Sequence, residues 1–62
     1  MTDRLLTAAE VAEILSVPER WVRDASREGR IPTVKLGRYR RFRRDAVFAW
    51  IEAREVEGGG RK

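Results

Sequence analysis

Apolar positions along the chain follow two periods, and the change between them divides it into elements. Val11, Ala12 and Leu15 recur at i, i+1 and i+4, the spacing of one helical face, and predict a helix from about Ala8 to Leu15. Thr7-Ala8-Ala9-Glu10 opens it with a capping-box pattern, hydroxyl and carboxylate each placed to satisfy an amide that the first turn leaves without a partner. Ser16-Val17-Pro18 ends it, because proline has a fixed φ and no amide hydrogen and fits only the start of the next helix. That second helix is expected from Glu19 to about Glu28, stopped by Gly29 as a left-handed cap. Trp21, Val22 and Ala25 gather on one side of it, and Arg20, Arg23 and Arg27 on the opposite side with Asp24 at their edge. The short link between the two helices has a helix-turn-helix length.

From Ile31 the period falls to two. Pro32 blocks a helix, Val34 and Leu36 alternate with polar residues, and Gly37 stands where a tight turn is needed. On the return arm, Tyr39 to Arg43, alternation points Phe42 inward and Arg41 and Arg43 outward. Arg40 then shares the side of Phe42, so it must sit near the hairpin tip or lay its stem across the core edge with its head in water. A lone hairpin needs a surface to pack on. A last helix from Arg44-Asp45 supplies one, with Val47, Trp50 and Ile51 as its buried stripe and Phe48 at the flank. The pattern fades after Arg54, and 58–62 reads as a flexible tail on a single domain of residues 1–57. The expected fold is mostly α with one β-hairpin, a winged helix-turn-helix. Its expected core is Leu6, Val11, Ala12, Leu15, Val17, Val22, Ala25, Ile31, Val34, Leu36, Phe42, Val47, Trp50 and Ile51.

Charge sharpens this picture. Six basic and six acidic side chains cancel over residues 1–36, the last eighteen residues carry three basic against four acidic, and residues 37–44 alone contribute five arginines: Arg38, Arg40, Arg41, Arg43 and Arg44. The hairpin and its exit therefore carry +5, which accounts for the whole of the net +4. Such a cluster is the footprint of a polyanion partner, and nucleic acid is the one expected. Arginine outnumbers lysine twelve to two. A GC-rich genome and guanidinium forks suited to phosphate and guanine would each account for that ratio, and composition does not separate them; the clustering favours the second for residues 38–44 and leaves the other arginines open.

Cysteine and histidine are absent, which removes thiolate metal sites, the commonest metal ligand and the commonest general base together. No metal or other cofactor is expected. No apolar run approaches the roughly 20 residues that span a bilayer. Tyr39 beside arginines suggests the nucleophile of a tyrosine recombinase, but a 62-residue chain without histidine cannot enclose such a site, and no enzyme is expected. Tyr39 is expected to pack on the wing or bond a phosphate. Trp50, in the stripe with Val47 and Ile51, is expected in the core, while Trp21 stays open between the core edge and a packing role at the backbone. Arg43 and Arg44 are expected at the anion or, alternatively, paired with Asp45 or capping the last helix.

Leu6-Thr7, then Glu10 through Val17, Trp21-Val22-Arg23, Gly29-Arg30-Ile31-Pro32, Leu36-Gly37, Arg41-Phe42 and Asp45 through Ile51 together resemble the excisionase branch of MerR-like winged helix-turn-helix proteins, over roughly residues 5–54. One departure stands out: the family usually has a small polar residue where this chain has Trp21, and a bulky one where it has Ala25. The resemblance implies a phage or integrative-element protein of the bacterial cytoplasm whose second helix enters the DNA major groove and whose wing reaches the adjacent minor groove or its phosphates. On this chain that implies Arg20, Arg23, Asp24 and Arg27 in the helix and Arg38, Arg40 and Arg41 at the wing, to which the charge cluster adds Tyr39 and Arg43 as expected contacts. It also implies neighbouring copies on DNA, DNA bending and an integrase, of tyrosine or serine type, as partners. A small transcriptional regulator of a mobile element, and a protein-interaction adaptor using the Arg-rich wing, are the alternatives.

Overall fold

In the computed structural model, which describes residues 4–56, the elements follow the order helix, helix, two strands, helix. They are α1 (Ala8–Leu15), α2 (Glu19–Arg27), β1 (Val34–Leu36), β2 (Tyr39–Arg41) and α3 (Arg44–Ala53). This is a winged helix-turn-helix. The expected tail at 58–62 lies outside the described residues.

α1 forms where its capping box forms. The Thr7 hydroxyl accepts from the Glu10 amide at 3.2 Å, and the Glu10 carboxylate accepts from the Thr7 amide at 2.9 Å. The helix stops at Ser16, which adopts the left-handed conformation at φ 58°, and the Val17 amide closes the turn on the Ala12 carbonyl at 3.0 Å. α2 starts immediately after Pro18 and ends in a similar turn. Gly29 takes φ 74°, and the Arg30 amide donates to the Ala25 carbonyl at 2.8 Å.

The buried core is Leu6, Val11, Ala12, Val22, Ala25, Ile31, Phe42 and Val47, with Leu15, Val17, Trp50 and Ile51 packed against it while partly exposed. Phe42 ties the wing to this core. Its ring is fully buried, and its backbone exchanges two hydrogen bonds with Leu6, 2.7 and 2.9 Å, in an isolated antiparallel bridge.

Two expected core residues, Val34 and Leu36, are not there. Leu36 is 49% exposed. The hairpin turns at Gly37 (φ 64°) and pairs Val34 with Arg41, Lys35 with Arg40, and Leu36 with Tyr39. Cross-strand partners share a face, so Leu36 lies with Tyr39 and Arg41, opposite the face that Arg40 shares with Phe42. Each strand alternates as expected, but the register joins the arms so that only one apolar set points inward. Val34, on the same face as Leu36, is half-buried.

α3 docks through Trp50, whose indole N–H donates to the Arg30 carbonyl at 2.8 Å and whose ring meets Trp21 edge-on at 6.5 Å. Trp21, 38% exposed, lies under the Arg30 guanidinium at 5.4 Å, while Arg54 covers Trp50 at 4.3 Å. The open question about Trp21 thus resolves to the core edge, on the α3 side of α2. Phe48 is exposed on the outer flank of α3. Among the described residues no helix is long and apolar enough to cross a membrane.

Candidate nucleic-acid interface

The nine residues of α2 carry three arginines and two acidic side chains, and the geometry pairs most of them off. Glu19 receives Arg23 at 2.6 Å across one turn, and Asp24 receives Arg27 at 3.0 Å. The acidic partner precedes the basic one in the Glu19–Arg23 pair, the orientation that the helix dipole favours. All three arginines of the helix are exposed, and Asp24 is half-buried. Arg20 is the α2 guanidinium without an ion pair among the described residues. Just past the helix, Arg30 bonds Glu28 at 2.8 Å.

The wing is arranged differently. Among the described residues none of Arg38, Arg40, Arg41, Arg43 and Arg44 reaches a carboxylate, the ion pairs there being those of Arg4, Arg23, Arg27 and Arg30. Arg41 donates to the Arg40 carbonyl at 2.8 Å and lies over the Tyr39 ring at 5.5 Å. Arg40 reaches back to the Ser26 carbonyl at 3.3 Å. These partners are neutral, so the wing keeps its full positive charge. Neither Arg43 nor Arg44 pairs with Asp45, whose carboxylate instead accepts from the Ala46 amide at 2.9 Å. Arg43 occupies the cap position of α3 without a side-chain capping bond.

The two elements converge on one open groove. A cavity of about 440 Å³ is bordered by Glu19 and Arg23 of α2, by Thr7 to Ala9 at the start of α1, and by Arg38 to Arg41 of the wing. A smaller depression of about 150 Å³ is lined by Arg23, Ser26, Arg27 and Arg40 over Ala8 and Phe42. Of the expected site residues, Arg23, Arg27, Arg38, Tyr39, Arg40 and Arg41 therefore come together. Arg20 and Asp24 do not line these cavities, and Arg43 lies past the hairpin, before α3.

Two residues at this site are absent from the sequence-level expectations. Ser26 is buried at 4% exposure, and its hydroxyl lies 2.9 Å from that of Thr33, which donates to the Ile31 carbonyl at the same distance. The signal for Ser26 was present: it follows Val22 by four and Ala25 by one, on the buried stripe.

A helix-turn-helix flanked by a basic two-stranded wing defines the protein as a member of the winged helix-turn-helix class, in which the second helix of the motif is the one that enters the DNA groove. The family model for a helix-turn-helix domain matches residues 5–55, and the chain belongs to that family. Neither curated proteins nor solved structures yield a match.

Proposed function

We propose that the chain is a sequence-specific DNA-binding excisionase, a recombination directionality factor, with residues 1–57 as its DNA-binding unit. The observation that carries DNA binding is the convergence of α2 and an unneutralised arginine wing on one groove in a helix-turn-helix domain. In this reading Arg20, Arg23, Asp24 and Arg27 face base edges and flanking phosphates of the major groove. Arg38, Tyr39, Arg41 and Arg43 hold the backbone and reach the neighbouring minor groove, where narrow A·T-rich segments concentrate negative potential, and Arg40 stands with them at the groove with its guanidinium turned back to the Ser26 carbonyl.

The excisionase role rests on the resemblance described above. A domain this small covers little DNA, and its affinity as a single copy is modest. Copies on adjacent sites would bind cooperatively, bend the DNA and present it to an integrase in the arrangement that favours excision. The setting is the bacterial cytoplasm, and no catalytic residue is assigned.

Gel-shift titration on attachment-region DNA of the parent element, with random duplex as competitor, tests this reading. A ladder of cooperatively filling complexes that resists the competitor is expected. A single complex confined to promoter fragments would replace it with transcriptional regulation of a mobile element. Equal smearing on every sequence would replace it with a polyanion-binding or acidic-partner adaptor.

A further inference from the structure

Arg40 differs from the other wing arginines. It projects from the same face of β2 as Phe42, is half-buried, and directs its guanidinium to the last turn of α2. There the Ser26 carbonyl already accepts the Gly29 amide at 3.2 Å, and Arg40 takes up its remaining side at 3.3 Å, with the Ser26 hydroxyl at 3.5 Å. The final carbonyls of a helix carry its negative dipole end, so a cation is stabilised at this point. The Ser26 hydroxyl continues to Thr33 in the segment leading to β1. One buried serine thus joins the end of α2, the segment entering the wing and the strand leaving it.

On the basis of the DNA-binding reading above, we infer that Arg40 is a positioning residue, which sets the angle between α2 and the wing through Ser26 and thereby the specificity of the protein. An element in the major groove and another in the neighbouring groove must be held at one separation for base contacts to form. Base-edge hydrogen bonds fail steeply with misalignment, whereas attraction to phosphates does not. Loosening this joint therefore costs selectivity and leaves general affinity for DNA intact. A phosphate contact behaves oppositely: its loss weakens binding to all sequences alike and flattens the salt dependence by about 0.9 per contact.

The test uses a duplex recovered by selection from a randomised DNA pool, alongside random duplex, with the full chain and the variants R40Q, R40K and S26A. Ser26 is uncharged and only 4% exposed, so S26A leaves the charge and nearly all of the DNA-facing surface unchanged. The ratio of selected to random affinity is expected to fall about 3- to 10-fold in S26A and R40Q, the scale of one ordinary hydrogen bond. The salt slope on random duplex is expected to stay unchanged in S26A and R40K, which keep the charge of the wing. R40K keeps the charge but loses the planar fork, and its ratio falls as well. If R40Q fails to fold on thermal melting, S26A and R40K carry the test. A selective wild type whose ratio ignores S26A and R40K, or whose slope drops by about 0.9 in R40Q with both duplexes weakened equally, overturns the inference alone. A wild type for which selection enriches no sequence overturns specific binding itself, and the inference with it.

Discussion

α2 and the wing are both rich in arginine, and they differ in what holds those arginines. On α2, Arg23 and Arg27 lie against Glu19 and Asp24 of the same helix, so its outward face is nearly balanced. On the wing, Arg40 and Arg41 donate to main-chain carbonyls, and among the described residues no carboxylate joins them. An ion pair fixes the direction of a guanidinium and cancels its long-range field, whereas a carbonyl fixes direction and leaves the field intact. The wing is therefore suited to general attraction toward phosphate. The helix is suited to short-range discrimination, where a paired guanidinium must exchange its carboxylate for a better partner and gains little from an arbitrary phosphate.

The largest expected effect removes the anchor that the two regions share. Phe42→Ala empties a fully buried ring site beneath the wing and should cost about 3–5 kcal/mol, comparable to the whole stability of a small domain. Thermal or urea denaturation reads this directly. Next comes the wing itself. Replacing Arg38, Arg41 and Arg43 by Ala together should flatten the slope of log K against log salt by about 2.7, from a wild-type value of about −4 to −6. Selected and random duplex should be affected alike.

The double variant R20A/R23A should act on the other side of the comparison. A lost base contact costs about 1–3 kcal/mol on the selected duplex, with a much smaller change on random DNA. E19Q/D24N goes further and removes the contrast by freeing the two guanidiniums. Random-duplex affinity should rise and selectivity fall, while stability changes by about 0.5 kcal/mol or less per pair, as for exposed helix ion pairs.

The smallest effect lies in α1, outside the contrast. The Glu10 carboxyl is held below its ordinary value chiefly by the Thr7 amide, with Arg4 assisting against partial desolvation. A lowered folded value means that its stabilisation is complete above the ordinary value of about 4.3 and disappears as pH falls through the lowered one. Melting curves of wild type and E10Q should differ at neutral pH and converge in acid.

Much of this arrangement was legible in the chain, for local reasons. The α1 cap needs only Thr7 and Glu10 three residues apart, and Gly29 and Gly37 stand where positive φ occurs. Phe42, Val47 and Trp50 followed from alternation and helical spacing. Val34 and Leu36 did not, because alternation places residues on two faces of each strand and only the pairing of the strands decides which face meets the core. Arg40 was recognised as sharing the inward side with Phe42, but its partner is a main-chain carbonyl fourteen residues away, which no local pattern encodes. The ion pairs of α2 were readable from their spacing in principle. The sequence showed a basic stripe with Asp24 at its edge, and the structure shows how far that stripe is neutralised.

The measurement that bears most directly on this division is the salt dependence of binding to selected and random duplex for three proteins: wild type, R20A/R23A and R38A/R41A. The account requires R20A/R23A to lose the preference for the selected duplex while keeping a steep slope on random DNA. It requires R38A/R41A to lose about 1.8 from that slope while keeping most of the preference. Slopes and preferences that fall together in both variants would contradict it, and would mean that helix and wing act as one undivided basic surface.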